Sequence, residues 1–184
     1  MEGGWSAGEV KFVVAVPGQV DDVLWVLDEA AGWLQARGIK QWPARFEPSW
    51  VRGSIDRGET WLVEVDGRVS ATVTLDWSDT VWAWVPGNAA YLHRMAVRQR
   101  SAGLGAVILA WAAGVAREHG RVALRLDCVA SNERLRAYYE AAGFVFRGDV
   151  TVAGAPGQRL GGGPLTVVSR YELPLAAAPS RGVL

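Results

Sequence analysis

"RSAGLG", Arg100 to Gly105, lies between two runs of different character. Before it, Tyr91-Leu-His-Arg-Met-Ala-Val97 reads as a strand; after it, Ala106-Val-Ile-Leu-Ala-Trp-Ala-Ala113 reads as a helix. A helix starting near Gly105 has first-turn N–H groups with no internal partner, and its dipole places partial positive charge there. Glycines let an anion approach that backbone closely, so strand, glycine-rich turn and helix together describe a phosphate cradle, with Arg98 and Arg100 at its rim. An ordinary tight turn would use the same residues. The stretch also lacks the Lys-Ser/Thr of a Walker loop and the third glycine of a dinucleotide fingerprint. A second site has to decide between these readings.

That site is "SNERLRAYYEAAGF", residues 131–144. Ser131 or Asn132 can cap a helix that ends at Gly143. Leu135, Tyr138, Tyr139 and Ala142 share one face of it. Neighbouring residues stand about 100° apart around a helix. One tyrosine can therefore pack while the other points toward residues 100–105.

Working outward, residues 17–38 place Val20, Val23, Leu24, Leu27, Ala31 and Leu34 at helical spacing up to Gly38. A weaker helix is expected over 46–57. Residues 60–75 read as two strands around Asp66-Gly67, a strong hairpin signal. Strand 89–97, helix 105–119, strand 122–129, the helix from 131, a strand at 144–147, a Gly/Pro-rich loop over 153–165 and a strand at 167–174 follow, with a loose tail at 176–184. Antiparallel hairpins first and β-α-β units later imply an α+β fold with one mixed sheet flanked by helices, as a single domain with its core at about residues 10–175.

Composition narrows the functional classes. Of 184 residues, half are hydrophobic, and Lys plus Arg equals Asp plus Glu at 19 each, so no basic excess points to nucleic acid. No stretch approaches the roughly 18 apolar residues of a membrane span. The single cysteine, Cys128, excludes an intrachain disulfide framework and a Cys-based zinc site. Met1-Glu-Gly-Gly-Trp-Ser lacks the pattern of a signal peptide, and the expectation is a cytoplasmic protein without a bound metal. Edge strands at 167–174 could support a homodimer.

Together the two sites resemble the GNAT superfamily of N-acetyltransferases. Arg100-Ser-Ala-Gly103-Leu-Gly105 matches that family's Arg/Gln-x-x-Gly-x-Gly/Ala signature. Asn132, Tyr139 and Gly143-Phe144 match its Asn, its Tyr seven residues on, and its Gly-Phe four residues later. "HRMAV" at 93–97 and "RLDC" at 125–128 are also similar to the family. The resemblance covers about residues 60–150; the ends match by element order only. It implies a mostly antiparallel acyl-CoA N-acyltransferase fold and acetyl-CoA as the acetyl donor. Met95, Ala96 and Val97 would pair their backbone with the pantetheine arm, and Arg100, Ser101, Ala102, Gly103, Leu104, Gly105 and Ala106 would hold the diphosphate. Asn132 would touch the cofactor arm and Tyr139 would face its sulfur.

The chemistry then needs a base and a donor. An alkylamine with a pKa near 10.4 is mostly protonated at neutral pH, and a leaving thiolate benefits from a proton. Tyr139 is the candidate donor. Asp127 is the favoured base, because it stands in an otherwise apolar strand where burial raises a carboxyl pKa; an ion pair with Arg125 or Arg94 is its alternative role. His93, on a strand face with Tyr91 and Met95, is the rival base. Cys128 alternates to the side opposite Asp127, which favours direct transfer in a ternary complex over an acetyl-cysteine. Asp76, Asp79, Trp77 and Trp82 are the candidates for holding a cationic acceptor, either a small-molecule amine or a peptide N-terminus. The alternative function is a non-catalytic acetyl-CoA-binding or regulatory module on the same fold.

Overall fold

Asp66 and Gly67 both hold positive φ, 51° and 73°. That is the turn a tight hairpin requires, and it joins β2 (Thr60–Val65) to β3 (Arg68–Asp76). The computed structural model describes residues 8–101, 103–153 and 165–176. The other elements are β1 (Val10–Val14), α1 (Val20–Gln35), α2 (Pro48–Asp56), β4 (Ala89–Val97), α3 (Leu104–Glu118), β5 (Ala123–Val129), α4 (Glu133–Ala141), β6 (Val145–Ala153) and β7 (Leu165–Pro174). The strands form one seven-stranded sheet in the order β1-β2-β3-β4-β5-β7-β6. Every pairing is antiparallel except β4 with β5.

Two apolar layers cover the sheet. On one face Leu104, Ile108, Ala112 and Ala116 of α3 pack on Val73, Leu92, Leu124 and Leu126. On the other, Val23, Leu27 and Ala31 of α1 and Val51 and Ile55 of α2 pack on Leu62 and Ala96. α1 opens with Asp21 and Asp22, acidic residues that suit the positive end of a helix dipole. Among the described residues no helix is long and apolar enough to cross a membrane.

Three expectations need correction. Among the described residues the first element is a strand, β1, ahead of the helix expected at 17–38. Val10-Lys-Phe-Val-Val shows little alternation, and its pairing with β2 rather than its own pattern makes it β1. Residues 167–174 are not an edge: β7 lies between β5 and β6, so the sheet's edges are β1 and β6. The strand expected at 144–147 runs on to Ala153, where β7 gives it partners out to Leu165. Most of the 153–165 loop and the tail beyond 176 lie outside the described residues.

Arg125 fastens β5 to its surroundings. Its guanidinium is 3% exposed and donates through Nε to Glu172 Oε2 at 2.7 Å on β7. Nη1 reaches the Val85 carbonyl at 3.1 Å and Nη2 the Pro86 carbonyl at 2.8 Å. Burial pushes the Glu172 carboxyl up, but hydrogen bonds from Arg125 and Arg147 outweigh this and hold it below the ordinary carboxylate range. We expect Arg125→Met to cost about 3 kcal/mol, read from the denaturant midpoint, because it takes one of two cationic partners from Glu172 and the donors from two loop carbonyls. A depressed carboxyl pKa adds stability above the unfolded value and withdraws it as pH falls through the folded value. The wild type should therefore lose part of its advantage over the variant on acidification, and an advantage that grows at low pH would contradict this role.

Candidate active site

The sheet opens where β4 leaves β5. Their parallel pairing runs only from Ala89–Ala123 to Tyr91–Arg125. Beyond Tyr91, β4 stays with β3 but bulges: His93 faces Thr74 and Ala96 faces Thr72, so Arg94 and Met95 together oppose Val73. Arg94 takes φ 47°, in the left-handed region. Such a bulge bends the strand carrying it. The result is a wedge between β4 and β5, with a cavity of about 780 Å³ that reaches from α3 and α4 to the end of α1.

The bulge also resets the alternation of side chains. Met95 packs against the core beneath α3, and Ala96 joins the α1–α2 side. His93 therefore does not share a face with Met95, contrary to the simple period-2 expectation. The backbone of Met95, Ala96 and Val97 lines the wedge on the side β5 has vacated.

One end of the wedge is the start of α3. Gly103 is its N-cap at φ 95°, a conformation natural to glycine. Leu104 and Gly105 lie in the first turn, where helix geometry supplies no carbonyl to their N–H groups; Ala106 N–H makes only a tight-turn bond of 3.3 Å to the Gly103 carbonyl. A Cβ on Gly105 would sit 2.7 Å from the Tyr138 hydroxyl oxygen, so that phenol lies directly over the turn. Arg98 lines the wedge, but Glu29 Oε2 accepts from its Nε at 2.8 Å and Trp25 stacks beneath it at 3.8 Å. Arg100 and Ser101 belong to a short 3-10 turn outside the lining, and Ala102 lies outside the described residues.

The two tyrosines of α4 divide as their spacing requires. Tyr138 is 38% exposed and aims at the glycine turn, whereas Tyr139 is 6% exposed and packs against Phe144 and Tyr171 while still bordering the wedge. Burial first, then the neighbouring Cys128, Tyr138 and Asp127, pushes the Tyr139 phenol far above its ordinary range. That favours the neutral phenol, whose O–H can donate a hydrogen bond. Asn132 caps α4 by accepting from Leu135 N–H at 3.2 Å, and its Nδ2 donates to Gln41 Oε1 at 3.1 Å. Gln41 also accepts from Val129 N–H at 3.3 Å, which ties the segment after α1 to the lip of the wedge.

The other end holds carboxylates around an imidazole. His93 Nε2 lies 3.3 Å from Asp76 Oδ2 and 3.7 Å from Asp79 Oδ2. One ligand atom each from Asp79, His93 and Asp127 fall within 4.8 Å of one another. The Asp79 side chain is 0% exposed, and its Oδ1 accepts from Val81 N–H at 2.9 Å. Asp127 is half-buried and faces the cavity. Arg125 bonds Glu172 and loop carbonyls, and the Arg94 guanidinium reaches the Trp50 carbonyl at 2.9 Å and Ser54 Oγ at 3.2 Å. Cys128 is buried in the core on the opposite side of β5, where burial above all pushes its thiol up to about 12. A thiol so far from ionising is no nucleophile.

The expected tryptophans are elsewhere. Trp82 is 1% exposed beneath Arg125, Trp77 stacks on His119 at 4.6 Å, and neither lines the wedge. Trp84 is 95% exposed. The tryptophans on the cavity are Trp33 and Trp42, at and beyond the end of α1. The local sequence carries no signal for them, because α1 offers many apolar positions and only the tertiary fold decides which end meets the wedge.

The acetyltransferase (GNAT) family model matches residues 27–144. The uncharacterised N-acetyltransferase YesJ of Bacillus subtilis (strain 168) is 33% identical over 146 residues, spanning 73% of this chain and 81% of YesJ. A GNAT-family acetyltransferase structure from Listeria monocytogenes 4b F2365 superimposes with a TM-score of 0.70 at 24% identity, covering 95% of this chain and 98% of that one. The structure of yncA from Salmonella typhimurium with its cofactor acetyl-CoA gives 0.62 at 15% identity, over 94% and 99%.

Proposed function

The chain belongs to the GNAT family of acetyltransferases, and from that premise we propose that it moves acetyl from acetyl-CoA to a primary amine by direct attack in a ternary complex. The observation that carries this reading is one wedge with two unlike ends: the first turn of α3 with Gly103 at its N-cap at one, and His93 and Asp127, backed by the buried Asp79, at the other. The donor set fits a diphosphate-bearing thioester. Gly103, Leu104, Gly105 and Ala106 offer backbone to the diphosphate, the exposed backbone edge of Met95–Val97 suits the amide-rich pantetheine arm, and Tyr138 closes over the turn.

Tyr139 and Asp127 divide the proton traffic. Asp127, directly or through water, accepts the proton that keeps the amine cationic. The amine nitrogen then bonds to the acetyl carbon as the carbon–sulfur bond breaks, Tyr139 donates a hydrogen bond to the departing thiolate, and the second proton leaves the nitrogen through water to that thiolate or to solvent. His93 is held by Asp76 and Asp79 beside this path. It fixes the carboxylate cluster that draws in an ammonium. Asn132 shapes the lip through Gln41 as well as lining the wedge.

The test is release of free CoA across a panel of amines, with Tyr139→Phe alongside. Turnover by the wild type and a loss of about 10²-fold in the variant, at unchanged acetyl-CoA affinity, is the expected result. Acetyl-CoA binding without CoA release for any amine would leave a binding module instead.

A further inference from the structure

Apolar side chains continue along the cavity wall from Asp127. Strand alternation puts Asp127 and Arg125 on one side of β5, and Val129 follows on that side. Val129 pairs with Val168 of β7. Opposite them stand Trp33, Ile39 and Trp42, all lining the same cavity. An acceptor therefore meets hydrocarbon and aromatic side chains along its length and the Asp127 carboxylate at its reacting tip.

Charge sorts the acceptor further. A carboxylate beside its ammonium would lie next to Asp127, and of the guanidiniums bordering the cavity Arg94 is directed to the Trp50 carbonyl and Ser54 Oγ, Arg98 is paired with Glu29, and Arg134 stands on α4. A second cation at the far end would meet Trp33, whose ring already carries the Arg37 guanidinium at 4.0 Å. A neutral apolar body satisfies both constraints.

We propose that the acceptor is a monoamine with a compact aromatic or branched-alkyl body and no carboxylate, its ammonium at the Asp79–His93–Asp127 end and its body between Trp33, Trp42 and Val168. The proposal rests on the acetyl-transfer reading, and its test separates the two. Titration calorimetry in saturating CoA compares phenethylamine with phenylalanine and 1,6-diaminohexane. Phenethylamine should bind at least tenfold more tightly than either, about 1.4 kcal/mol, and Trp33→Ala should weaken it at least threefold. CoA release from acetyl-CoA should rank the three in the same order. Equal or tighter binding of phenylalanine or the diamine, no binding of phenethylamine, or indifference to Trp33→Ala would each overturn the proposal. The calorimetric order without CoA release for any amine would uphold the ligand class and defeat the catalytic reading.

Discussion

Gly103→Glu should weaken acetyl-CoA binding at least 100-fold, about 2.7 kcal/mol. Two effects combine. Gly103 holds φ 95° at the N-cap of α3, where a side chain with Cβ is strained by about 1–2 kcal/mol. That strain lowers stability more than affinity. The larger effect is electrostatic, because the new carboxylate would stand at the positive end of α3, where the diphosphate is proposed to sit. Gly103→Asn separates the two, since asparagine tolerates the left-handed region and brings no charge. It should bind within about tenfold of the wild type by calorimetry, whereas Glu should not bind at micromolar protein. Retained affinity in Gly103→Glu would place the diphosphate away from α3.

That experiment concerns the part of the site most legible in the sequence. A glycine-rich turn between strand and helix is local, and so is the seven-residue step from Asn132 to Tyr139, because both depend on helix geometry alone. Asp66-Gly67 was legible for the same reason. What the sequence hid depends on distant partners. Val10–Val14 becomes a strand because β2 offers it an edge. Residues 167–174 look like an edge strand until β6 pairs outside them. Period-2 reasoning placed His93 and Met95 together and failed at Arg94, where one extra residue reverses the alternation. Trp77 and Trp82 suggested a pocket by proximity in sequence to Asp76 and Asp79. Yet a cavity gathers residues by proximity in space, and α1 delivered Trp33 and Trp42 instead.

Asp127→Asn should lower kcat/KM for the preferred amine about 10²–10³-fold at neutral pH, with acetyl-CoA affinity unchanged. The carboxylates are not equivalent. Asp79 is sealed from solvent and spends one oxygen on Val81 N–H, and Asp76 sits beside His93, whereas Asp127 faces the cavity. On the proposed reading, Asp127 is the carboxylate that meets an incoming ammonium. The pH profile discriminates further. Without a base the reaction depends on amine that has already lost its proton, a fraction that grows tenfold per pH unit below about 10.4. The variant's rate should climb steadily with pH and approach the wild type under alkaline conditions, and an acceptor of lower pKa should narrow the gap at neutral pH. His93→Gln supplies the comparison. If His93 were the base, its loss would give this pattern and Asp127→Asn would cost less than tenfold. A role for His93 in holding the carboxylates would instead raise KM for the amine and leave the slope of the profile as in the wild type.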